Sequence, residues 1–145
     1  YLEAIIPPIY AAVPGIKVGL PNIVIILILY KFGVKEAAAV SFLRVFIVAL
    51  LFGNAMTLAY SIAGAFLSLA VMTFFKKVDK FSAVGVSIIG GVAHNLGQIL
   101  VAVVLLSSTL IGYYMIILTI TGTLAGVAVG IAGSLLIKRM ENISI

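Results

Sequence analysis

The chain has 145 residues, 64% of them hydrophobic and 9% charged, with a formal net charge of +5, and its mean hydropathy is +1.37. A water-soluble domain carries about 25% charged residues and could not bury this much apolar surface, so the composition excludes a soluble globular protein and indicates an integral membrane protein. The absence of cysteine excludes disulfides, thiol catalysis and cysteine metal sites, and basic residues standing singly or in pairs beside apolar runs orient a membrane protein rather than form a nucleic-acid surface.

Residues 1–10 read as the last turns of a helix that begins upstream of Tyr1 and is ended by Pro7 and Pro8. Pro14, Gly15, Gly19 and Pro21 then interrupt the chain. The apolar run 23–30, even counted from Val18, spans about 20 Å as helix against a hydrocarbon core of roughly 30 Å. Residues 7–21 are therefore expected to dip into the membrane as a re-entrant loop, which is tolerated only where protein buries it or it lines a cavity. Lys31 and Lys35 flank a break at Phe32 and Gly33, and residues 36–52 form the next span, with Arg44 in its middle. Gly53 and Asn54 turn the chain into span 55–75, which ends at Lys76, Lys77, Asp79 and Lys80. Span 81–106 follows, then a turn at residues 107–109, then span 111–137, ended by Lys138 and Arg139. The expectation is an all-α, polytopic membrane bundle of about six helices, the first truncated, forming one transmembrane domain over residues 1–145.

Lysines and arginines mark alternate loops and the tail, whereas the loops at Gly53–Asn54 and 107–109 carry no charge. The positive-inside rule then places the basic loops and both termini in the cytoplasm of a multi-pass cell-membrane protein, with Tyr113 and Tyr114 in an outer aromatic belt.

The candidate site is organised around residues 85–98, GVSIIGGVAHNLGQ, which hold the only histidine. Gln98 lies one helical turn from His94 and Asn95, and Gly90, Gly91 and Gly97 leave the helix bare enough for another backbone or a ligand to approach. Buried amides and imidazoles need partners, supplied either by neighbouring helices or by a ligand. Arg44 stands about 13 Å along its helix from Lys35, and Asn22 is at a similar level relative to Lys31. His94 and Gln98 are roughly 21 and 27 Å above Lys80 on the same arithmetic. Lys17 falls on the outer side, either in the site or in the headgroups. Arg44 needs an anion: Glu3 is the internal candidate, since Glu36, Asp79 and Glu141 fall on the cytoplasmic side, and a ligand carboxylate or phosphate is the alternative. Lys17, Asn22, Arg44, His94, Asn95 and Gln98 thus form the candidate substrate site for a small, anionic molecule. Gly122, Gly126, Gly130 and Ser134 recur at intervals of four and read as a stripe for packing on a helix of this chain or of a partner.

Enzymatic readings find little in the residues. Prenyl chain elongation needs magnesium on clustered aspartates, and the chain has one aspartate, Asp79. There is no Walker lysine loop, and His94 has no acidic or nucleophilic neighbour in sequence. The expectation is a non-enzyme with no catalytic residue, no metal and no cofactor.

Two segments carry a family resemblance: Pro14-Gly-Ile-Lys-Val-Gly-Leu-Pro-Asn22 before the short span, and His94-Asn-Leu-Gly-Gln98 within a late span, with Leu43-Arg44-Val45 and Leu51-Phe52-Gly53 between them. In these the chain resembles the family called heptaprenyl diphosphate synthase component I, also labelled Gx transporter, which is similar to the S components of energy-coupling-factor (ECF) vitamin transporters. The resemblance implies a six-helix bundle with a small-molecule pocket near the outer face, capped by the loop after the first helix. It also implies membrane lipid, a transmembrane coupling subunit and cytoplasmic ATPases as partners. The function expected from it is substrate binding for an importer of a vitamin- or cofactor-like molecule. The alternative is a non-catalytic membrane accessory to prenyl diphosphate or quinone biosynthesis.

Overall fold

The computed structural model describes residues 20–53, 55–78, 80–106 and 114–141. Among these, five helices follow one another: α1 (Leu20–Lys31), α2 (Val34–Phe52), α3 (Ala55–Val78), α4 (Ala83–Leu106) and α5 (Tyr114–Glu141). The first helix expected from the sequence, and the expected re-entrant loop up to residue 19, lie outside the described residues. Pro21, expected to close that loop, is already in the first turn of α1, where its missing N–H leaves no helical bond unmade.

Stretches within α3, α4 and α5 are long and apolar enough to cross a membrane. The 19 residues of α2 reach about 28 Å and carry Lys35, Glu36 and Arg44, whereas the 12 residues of α1 reach only about 18 Å. The protein is a multi-pass, all-α membrane bundle. Its outer surface agrees with a lipid solvent: Val104 is 75%, Leu50 70% and Ile116 68% exposed, which no aqueous fold would favour on this scale.

The helices form a ring in which each contacts the next and α5 returns to α1. The closest seams flank α4 and are built from small residues. A Cβ on Gly97 would lie 2.6 Å from the Ala63 carbonyl oxygen of α3, and one on Gly91 2.5 Å from the Gly122 carbonyl oxygen of α5. Gly126 and Gly130 press in the same way on the backbone of Ile88 and Val84. Between lipid-solvated helices this backbone-level approach supplies van der Waals contact that apolar side chains against lipid tails do not. A buried cluster of Ile25, Leu29, Ala37, Leu69, Met72 and Val86 fills the ring toward its lysine-bearing end.

The α1–α2 turn shows why the basic residues stand where they do. Gly33 has φ 120°, a conformation open to glycine, and its N–H joins that of Phe32 on the Ile28 carbonyl oxygen. That diverts the donor that a continued helix would give to Leu29. The Lys76 ammonium donates to the Leu29 carbonyl oxygen instead and stands 5.1 Å over the Tyr30 ring. A cation at a helix C-terminus is favoured by the unpaired carbonyls there, so Lys76 fastens α3 to the end of α1.

Candidate functional site

α4 lies between α3 and α5, so its polar residues divide by helical face. Gly90, His94, Gly97 and Gln98 turn toward α3: Cβ atoms built on Gly64 would meet the His94 ring and the Gln98 side chain at 3.0 Å. Val84, Ser87, Gly91 and Asn95 turn toward α5. There the Asn95 Nδ2 donates to the Leu118 carbonyl oxygen at 2.6 Å, next to Gly122. Residues 94 and 95 are neighbours in sequence but about 100° apart on the helix, so they serve different seams.

At the centre of the ring the Arg44 guanidinium donates to Asn22 Oδ1 at 3.0 Å, joining α2 to α1. Beside this pair is a cavity of about 10 Å³ whose walls include Ser41, Ser68, Ala65, Leu69 and His94. A second cavity, of about 30 Å³, shares Asn22, Ser68 and Met72 with it and continues past Ser87, Gly90 and Gly126 toward α5. Volumes of this order hold about one water each. Among the described residues the linings carry a guanidinium, an imidazole, an amide and three hydroxyls. Such a tract is polar and suits water.

The structure therefore brings Asn22, Arg44 and His94 to one cavity. It places Gln98 on the His94 face of α4 and Asn95 in the α4–α5 seam. Gly122, Gly126 and Gly130 lie against α4, while Ser134 turns back to donate to Ile131 of its own helix at 2.9 Å. Lys17 and Glu3 lie outside the described residues. Three wall residues were not singled out from sequence: Ser41, Ser68 and Ser87, all buried. Ser41 is one turn from Arg44 on the same face of α2, a spacing that would have found it. Ser68 donates to the Gly90 carbonyl oxygen at 2.8 Å and holds α3 to α4. Among the described residues no three His, Cys, Asp or Glu side chains gather as metal ligands.

A second opening lies on the lipid-facing side of the α2–α3 seam. It is a groove of about 400 Å³ lined by Phe42, Leu43, Val45 and Phe46 of α2 and by Leu58 and Ile62 of α3. Ligand sites commonly run from about 300 to 1,000 Å³, so this groove, unlike the two central cavities, has the size of one.

The family model described as Heptaprenyl diphosphate synthase component I matches residues 1–136, nearly the whole chain, and the chain belongs to that family. No match was found among the curated proteins or among the solved structures. The family assignment corrects two expectations. The chain was expected not to be an enzyme, yet it belongs to a family of components of a biosynthetic enzyme. The expected role in an ECF importer conflicts with that assignment, and the expected coupling subunit and ATPases find no support in it.

Proposed function

We propose that this member of the heptaprenyl diphosphate synthase component I family acts as the membrane-embedded component of a prenyl diphosphate synthase. The observation that carries the proposal is the family match over residues 1–136 in a chain whose fold is a lipid-exposed helical bundle.

The chemistry fits a division between components. Chain elongation ionises an allylic diphosphate held by magnesium on clustered carboxylates. This chain brings four acidic residues in all, one of them aspartate, so a partner component completes that metal site. The growing isoprenoid supplies the reason for a membrane component. Each added methylene favours transfer out of water by about 0.8 kcal/mol, so the lengthening tail belongs in the bilayer while the diphosphate needs charged or hydrogen-bonding hosts. Lys31, Lys35, Lys76, Lys77 and Lys80 lie at one end of the bundle, which the positive-inside rule assigns to the cytoplasm, where a soluble partner would dock. A cysteine at position 77 should then react with membrane-permeant reagents alone; labelling by impermeant reagents would reverse the orientation.

The direct test is to tag the chain in its own host, extract it in mild detergent and assay the eluate with isopentenyl and farnesyl diphosphates. The expected result is co-elution of a prenyl-transferring partner and its long-chain product. An eluate whose product formation equals that of an untagged control would overturn the proposal.

A further inference from the structure

The lysine-bearing end of the bundle combines charge with exposed aromatic rings. Gly130 of α5 packs on Val84 at the start of α4, so α5 finishes at the same end as the α1–α2 and α3–α4 connections. Lys35, Lys77, Lys80, Lys138 and Arg139 are exposed there. These cations outnumber the four acidic residues of the whole chain, so the end is net positive whatever ion pairs form within it. Between the lysines stand two phenylalanines. Phe32, in the turn between Lys31 and Lys35, is 64% exposed, and Phe81, directly after Lys80, is 42% exposed.

Both rings are held on rigid supports. The Phe32 N–H donates to the Ile28 carbonyl oxygen at 2.8 Å, and Gly33 fixes the turn that follows. The Phe81 ring meets the Phe75 ring edge to face at 4.9 Å, and Phe75 packs on the buried cluster. Lys76 ties the end of α3 to the end of α1, and so holds the two connections together. Resting on the proposed function, we infer that this end is the docking surface for the soluble prenyl-transferring component, which meets it with an acidic face and an apolar pocket for Phe32. Charge complementarity selects that occupant, and the arrangement of aromatic anchors within a charged rim is that of a protein interface. The positive-inside rule accounts for lysines in these connections but not for exposed phenylalanines among them, since tryptophan and tyrosine are the aromatic residues of the headgroup layer. An anionic lipid surface would neutralise the lysines, yet it is fluid and gains nothing from a ring fixed in place, whereas a protein pocket gains affinity from that preorganisation.

The full chain in phosphatidylcholine nanodiscs is titrated with the purified component that co-elutes with it and transfers prenyl groups, at low and at high salt. Phe32→Ala should weaken binding at least about tenfold. The double variant Lys35→Glu, Lys80→Glu should weaken it by a similar factor at low salt and approach wild type at high salt, where the attraction is screened. Both glutamates would stand in or just before the first turn of a helix, where acid is favoured, so this variant stays folded and decides the matter if Phe32→Ala does not. Leu124→Ala, at a lipid-exposed position of α5, should bind as wild type. Wild-type affinity in both test variants, or binding indifferent to salt, would overturn the inference. Unchanged binding together with loss of co-purified phosphatidylglycerol would overturn it by giving the surface to lipid. A component that transfers prenyl groups and binds wild type and variants alike would remove this surface and keep the proposed function. A co-eluting acidic protein that depends on the same residues but transfers no prenyl group would remove the function and, with it, the occupant inferred here.

Discussion

Gly90 and Gly91 are adjacent on α4 and make opposite predictions for the same substitution. A methyl group at Gly91 would stand 2.5 Å from the Gly122 carbonyl oxygen and 3.5 Å from the Gly126 Cα, both backbone atoms of α5. Relief requires α5 to retreat by most of an ångström along a seam that Gly126 and Gly130 also hold closed. A methyl group at Gly90 would stand 2.5 Å from Cγ and 2.6 Å from Sδ of Met72, the far end of a flexible side chain. Both changes gain up to about 1 kcal/mol of helix propensity. At Gly91 overpacking should outweigh that gain, for a net loss of about 1–3 kcal/mol. At Gly90 the two effects should nearly cancel, within about 1 kcal/mol of wild type. Thermal unfolding of Gly91→Ala and Gly90→Ala in one detergent measures the difference. A Gly91→Ala protein as stable as wild type, or a Gly90→Ala protein equally damaged, would refute the packing argument.

Two further substitutions test the seams. Lys76→Met should lose about 1–3 kcal/mol, because it removes the donor to the Leu29 carbonyl oxygen and the cation over Tyr30; Lys77→Met, at an exposed position, is the control, and equal losses in the two unfolding curves would count against the cap. Thr73 has a buried Oγ1 with no hydrogen-bond partner among the described residues, so the near-isosteric Thr73→Val should raise stability by about 1 kcal/mol; a lower unfolding midpoint would show that the hydroxyl has a role.

The span boundaries on the lysine side show what hydropathy can and cannot locate. The last span reads as ending at Ile137 because Lys138 and Arg139 follow, yet α5 continues to Glu141. Charge marks where the bilayer ends, whereas the helix continues for as long as its backbone bonds do. The common level of Asn22 and Arg44 is legible from rise per residue along two helices, and the two side chains are bonded. The division of His94 from Asn95 is not legible, because it depends on which helices flank α4, and a single helix does not carry that information. Ser41, Ser68 and Ser87 escape for a different reason. A hydroxyl in an apolar helix can bond to its own backbone and face any direction, so only the neighbouring helix shows that it lines a cavity.

The central claim, that the chain is a working component of a prenyl diphosphate synthase, is tested most directly by reconstitution. The purified chain in liposomes is combined with the co-eluting prenyl-transferring partner, isopentenyl diphosphate and farnesyl diphosphate, and the products are resolved by chain length. The account predicts long-chain prenyl diphosphate in the presence of the chain, and shorter or much less product when liposomes without it are supplied. The same yield and length distribution with and without the chain would contradict it.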